Sequence, residues 1–167
     1  MGRYRAPTKP GSKVITPEGE ATLKEELHYL WKIKRPEVTK AVSAAAALGD
    51  RSENAEYIYG KKQLREIDAR VRFLRKRLED MVVVNTVPDD LSRIYFGAWV
   101  TLEDDEGHES TYRLVGPDEF DLSKGYLSID APLSKQLLNK RVDDDIILEL
   151  KDKSICYTVC KIHYKNT

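Results

Sequence analysis

The chain has 167 residues, 41% of them apolar and 34% charged, with 28 basic and 28 acidic side chains. That is material for one domain or two small ones, with more charge than the roughly 25% of an average domain, a surplus that long solvent-exposed helices would carry. No run nears the roughly 18 apolar residues of a membrane span, the first ten residues lack the apolar core of a secretory signal, and Cys156 and Cys160 make neither a zinc set nor a disulfide framework, so a cytoplasmic protein without a membrane partner is expected.

Residues 1–13 are basic, contain Pro7, Pro10 and Gly11, and read as a flexible tail. Residues 14–84 read as a helical hairpin. Thr16-Pro17-Glu18 predicts a helix start, with Thr16 as N-cap, Pro17 at the first helical position and an acid in the first turn. The helix runs through Leu23, Leu27 and Leu30, is kinked at Pro36, and resumes with Val38, Val42 and the alanines 44–47. Gly49 is the expected left-handed residue beyond its end. A second helix is predicted to start near Asp50 or Ser52, with an apolar stripe of Tyr57, Leu64, Ile67, Val71, Leu74, Leu78 and Met81. From Leu64 the spacing alternates three and four, a heptad seam. Two such helices joined by a few residues pack antiparallel, and at 1.5 Å per residue the hairpin is about 45 Å long.

Val82 to Pro88 reads as an exit and short linker, and residues 85–167 as a compact α+β domain. Its expected strands are 94–102, 110–115, 126–130, 145–150 and 155–164, with a short helix over 133–138. The two halves also differ in charge. Residues 1–85 carry 18 Lys and Arg against 12 Asp and Glu, and residues 86–167 carry 10 against 16. A negative partner suits the first half and a basic one the second.

The informative chemistry lies at the hairpin tip, Leu48-Gly-Asp-Arg-Ser-Glu-Asn-Ala-Glu56. Asp50 and Glu53 are three apart, which in a first helical turn places them on one face. One reading is a cap, with Asp50 as N-cap and Glu53 reaching back. The other is a carboxylate pair offered to a metal. Mg²⁺ takes oxygen ligands, keeps several waters and is commonly held by one or two carboxylates. Two carboxylates alone hold it weakly, so another macromolecule would have to complete the site. Arg51, Lys61, Lys62, Arg65, Arg72, Arg75 and Lys76 lie off the seam, either as a solvated face or as a track for a phosphate backbone. There is no phosphate loop, dinucleotide fingerprint or nucleophile elbow, and so no self-contained active site of an enzyme.

Three segments together resemble the bacterial Gre transcript-cleavage factors, and the GreB branch more than GreA: Leu30-Trp-Lys-Ile-Lys-Arg-Pro-Glu-Val-Thr39, the tip Leu48 to Tyr57, and Leu64-Arg-Glu-Ile-Asp68. Phe96-Gly-Ala-Trp-Val100 and Tyr126-Leu-Ser-Ile-Asp-Ala-Pro132 resemble the same branch. The resemblance implies an N-terminal antiparallel coiled coil and a C-terminal FKBP-like domain, in a monomer. It implies a transcription elongation factor that is not itself an enzyme. The globular domain would dock at the rim of the RNA polymerase secondary channel, on the largest subunit, through Asp130, Ala131 and Pro132. The hairpin would carry Asp50 and Glu53, with Glu56 a weaker acid, to the polymerase active centre. There they would share a Mg²⁺ that the chain does not bind stably alone, while Arg51, Lys61, Lys62, Arg65 and Arg72 follow the 3′ end of the nascent RNA. The polymerase would then hydrolyse backtracked RNA. Two other classes remain open: a channel-binding inhibitor of the same shape, which need not keep both acids, and a coiled-coil adaptor, which would favour an apolar stripe outside the seam.

Overall fold

The computed structural model describes residues 11–49, 51 and 53–164. The described residues form two compact units in an α+β fold. One lies within residues 20–81, and the other joins residues 11–19 to residues 82–164.

In the helical unit, α1 (Pro17–Tyr29) leads through a π-helical turn (Leu30–Lys34) into α2 (Arg35–Ala46), and α3 (Ala55–Asp80) returns beside them. The start of α1 is as expected: the Thr16 hydroxyl accepts from the Gly19 amide at 3.1 Å. The expected kink at Pro36 is instead the π turn, closed by the Arg35 amide donating to the Leu30 carbonyl five residues back. The seam explains the turn. Leu30 and Val38 are both buried and eight residues apart, one more than a heptad, so an extra residue must be wound in to keep both facing α3. Opposite them Ile67, Val71 and Leu74 are buried. The seam also contains Gly60, which is buried and fills the gap between Tyr57 and Leu64 in the three-four spacing. A Cβ there would lie 2.5 Å from the Val42 Cγ2, so glycine lets α2 and α3 approach.

The two ends of the hairpin differ from expectation. α2 stops at Ala46, and Gly49 follows with a φ of 141°, open to glycine alone without strain. α3 begins only at Ala55, with Asn54 as its N-cap. Asp50 and Ser52 lie outside the described residues, and neither position immediately precedes α3.

In the second unit, β1 (Val14–Ile15) pairs in parallel with β2 (Val82–Val83), so the expected linker is a strand where it leaves the hairpin. Thr16 is anchored in the same unit: its amide donates to the Glu119 carboxylate at 3.0 Å, and its hydroxyl also bonds that group. These contacts move the unit boundaries inward from the expected 14–84, to Glu20 and Met81. Two-residue strands carry too little alternation to be read from sequence.

The main sheet has the order β5-β4-β3-β7-β6, from β3 (Trp99–Asp104), β4 (Glu109–Val115), β5 (Tyr126–Ser128), β6 (Asp145–Glu149) and β7 (Ser154–His163). All neighbours are antiparallel except β4 and β5. A bulge at Cys160 bends β7 against β3, whose partners jump from Lys161 to Val159. The strand expected from Ile94 starts five residues later. Residues 94–98 form a turn in which the Gly97 amide donates to the Leu114 carbonyl at 2.7 Å, and Gly97 has a φ of 86°. α4 (Pro132–Leu137) covers the sheet with Leu137, and Ile94, Ala98, Val100, Leu102, Leu114, Ile146, Val159 and Tyr164 complete one core.

Candidate functional site

The tip is built from the two helix ends. Asn54 accepts a hydrogen bond from the Tyr57 amide at 3.1 Å, satisfying one orphan donor of α3. Its Nδ2 donates to the Ala45 carbonyl in the last turn of α2, at 2.8 Å. One side chain therefore caps one helix and straps the other. Glu53 stands immediately before this cap, in a turn, with its carboxylate exposed. It lies outside the first turn of α3, so the expected Asp50–Glu53 capping box and shared helical face are not the geometry at Glu53. Asp50 lies outside the described residues. Glu56 is exposed in the first turn of α3, where the helix dipole favours an acid. Arg51 is exposed beside the acids, its guanidinium 5.7 Å from the Tyr57 ring centre.

Farther along α3, Lys61, Lys62, Arg65 and Arg72 are all exposed. Lys61, Arg65 and Arg72 fall along one stripe by helical spacing, with Lys62 about a quarter turn aside. The stripe is not purely basic: Lys62 lies 4.0 Å from Glu66, and Arg72 adds to the positive field around Asp68. A hydrogen bond from Arg35, at 2.7 Å, holds the Asp68 carboxyl below the usual carboxylate range. Arg35 also lies 5.2 Å from the Trp31 ring, and Arg75 lies 4.6 Å from it. Two guanidinium groups thus lie over the ring of Trp31, which stands in the π turn. The contact between Trp31 and Arg75 is invisible in the sequence, because helical spacing cannot bring position 31 to position 75.

In the sheet unit, Asp130, Ala131 and Pro132 form the entry to α4. Ala131 is its N-cap in extended conformation and Pro132 its first residue. Asp130 does not stand free: it accepts from the Ser12 amide at 2.8 Å and bonds the Ser12 hydroxyl as well. The segment read as a tail is therefore tied down at Ser12. Cys156 and Cys160 are half-buried and stand outside the core cluster, and burial pushes both thiols up. None of the described helices is long and apolar enough to cross a membrane.

Comparison with known proteins accounts for both units. Residues 13–83 match the family described as "Transcription elongation factor, N-terminal", and residues 88–164 match "Transcription elongation factor, GreA/GreB, C-term". The chain belongs to the GreA/GreB family of transcription elongation factors. Among curated Gre relatives, the transcription elongation factor GreB of Pseudomonas aeruginosa is 57% identical over 98% of each chain. That of Xanthomonas axonopodis pv. citri is 53% identical, also over 98% of each. A solved structure, GreA factor homolog 1 of Thermus thermophilus, covers 90% of this chain and 97% of its own at 24% identity, with a TM-score of 0.41. The Gre assignment thus takes in the tip, the basic stripe and the Asp130 loop in one alignable chain.

Proposed function

We propose that this Gre factor stimulates RNA polymerase to cleave its own backtracked transcript, with the hairpin entering the secondary channel and the chain supplying acids rather than a complete active site. The observation that carries the reading is the 57% identity to a GreB factor across nearly the whole of both chains. The exposed Glu53 carboxylate at the end of a long hairpin supports it.

The donor set fits a shared Mg²⁺. Glu53 offers an anionic oxygen, Asp50 a second by its place in the tip sequence, and two carboxylates fall short of the six ligands that Mg²⁺ takes. When bound, the ion would polarise the phosphodiester and lower the pKa of a water. The remaining work of the chain is positional. Asn54 fixes the end of α3 beside Glu53. Lys61, Lys62, Arg65 and Arg72, with Arg51 at the tip, offer cationic contacts to the phosphates of the extruded RNA 3′ segment. Asp130, Ala131 and Pro132 form the surface that meets the largest subunit. Water attacks one internal phosphorus, and the bond to the 3′ oxygen breaks. That oxygen takes a proton to become the new 3′ hydroxyl, and the released fragment keeps the phosphate.

The test is a purified polymerase halted in a backtracked complex. Adding the factor should shorten the transcript and allow it to be extended again when nucleotides return. A transcript that stays full length at saturating factor would refute the reading.

A further inference from the structure

The contact that joins the two helix ends at the tip cannot be read from the sequence. The chain between α2 and α3 holds Asp50 and Glu53 on a loop of eight residues, 47–54. Such a loop wanders unless something ties its ends together. Ordinary helix capping would fix one end only. Here the Asn54 amide bonds in two directions: its oxygen accepts from the Tyr57 amide of α3, and its nitrogen donates to the Ala45 carbonyl of α2. Ala45 lies in the last turn of α2 but is buried in the seam, so the strap is fixed to a packed residue. Glu53 is joined to Asn54 by a single peptide bond.

We propose that Asn54 is a positioning residue for cleavage: its strap to Ala45 sets where the Glu53 carboxylate stands, separately from its role as a cap. This rests on the proposed function, since that position matters only if Glu53 takes part in cleavage. The reason for expecting a kinetic effect is geometric. A catalytic group held about 1 Å out of place can cost a hundredfold in rate.

Substitution separates the two hydrogen bonds. Asp and Ser are both good N-caps and keep an oxygen for the Tyr57 amide. Neither has a donor that reproduces the strap, because a carboxylate only accepts and the Ser hydroxyl is too short to span to Ala45. If Asn54 were only a cap, N54D and N54S would behave as native. If the strap positions Glu53, both variants should keep the native melting temperature and compete equally with native factor for polymerase. Their cleavage rate at saturating factor should nevertheless fall about tenfold. N54S adds no charge, so agreement between the two excludes an electrostatic cause.

The measurement is single-turnover cleavage of a backtracked complex against factor concentration, with native factor alongside. Native rates at saturation in both variants would overturn the proposal. So would loss of folding or of polymerase competition in both, which would make Asn54 a folding residue. If native factor itself fails to shorten the transcript, the cleavage reading falls first, and amide hydrogen exchange at Glu53 and Tyr57 then decides the strap: unchanged protection in N54S overturns it.

Discussion

The helical unit and the sheet unit of this Gre factor solve stability in opposite ways. The sheet core gathers Ile94, Leu102, Leu114, Leu137 and Val159, residues up to 65 positions apart, around side chains fully removed from solvent. The hairpin has a seam one side chain thick, and most of its surface is charged and exposed. Long-range burial makes the sheet unit intolerant of change wherever its core is touched. The hairpin concentrates its stability in the stripe and leaves the tip nearly uninvolved. The proposed function, in which acids are presented far from the core, would use that separation.

The comparison breaks first where burial is deepest. Leu102→Ala, in the centre of the sheet, should cost about 2–5 kcal/mol, read as a lowered midpoint of urea unfolding. The sharper contrast is at the tip, where activity should collapse without such a loss. Asp50→Asn with Glu53→Gln should lower stimulated cleavage about a hundredfold, because metal ligation of this kind is worth several kcal/mol in the transition state. Glu53 lies outside the cap, so the melting temperature should stay native. Cleavage at native rates would remove the acids from the mechanism.

Within the hairpin, Gly60 tests how thin the seam is. Alanine gains about 1 kcal/mol of helix propensity over glycine, but its Cβ would meet the stiff Val42 side chain. Gly60→Ala should destabilise the native hairpin by about 1 kcal/mol and stabilise it in a Val42→Ala background. A double-mutant cycle by thermal unfolding reads the change of sign. The smallest effect is at Asp68. Its carboxyl is held low by Arg35, so the stabilisation is present above the ordinary carboxylate pKa and lost as pH falls through the lowered one. The pair is partly exposed, which keeps the contribution small. Helicity followed from pH 5 to pH 2 should show an acid-dependent loss that Asp68→Asn removes.

How much of this was legible follows from range. The cap at Thr16, the seam of α3, the two-unit plan and five of the seven strands are local signals written in spacing. The start of α3 was not, because Asp50, Ser52 and Asn54 are all good caps within five residues and only three-dimensional closure on Ala45 selects Asn54. β1 and β2 escaped because two residues show no alternation. The bonds from Ser12 to Asp130 and from Thr16 to Glu119 span over a hundred residues, beyond any periodicity. The tip acids stand out in the sequence by their spacing, with the Gre resemblance adding the role proposed for them, but the shared helical face that this spacing predicts does not hold for Glu53, because α3 begins only at Ala55.

The π turn at Leu30–Lys34 constrains how such hairpins change length. Deleting one residue there would bring Leu30 and Val38 to heptad spacing and remove the need for the π turn, whereas deleting one elsewhere in the helix would rotate everything beyond it by about 100° and take its seam residues off α3. Removing or adding seven residues in both helices leaves the phase intact and moves the tip by about 10 Å. The reach of the acids is therefore quantised: lineages should differ by whole heptads or not at all, and a single-residue gap in this segment should appear only where the π turn has gone with it.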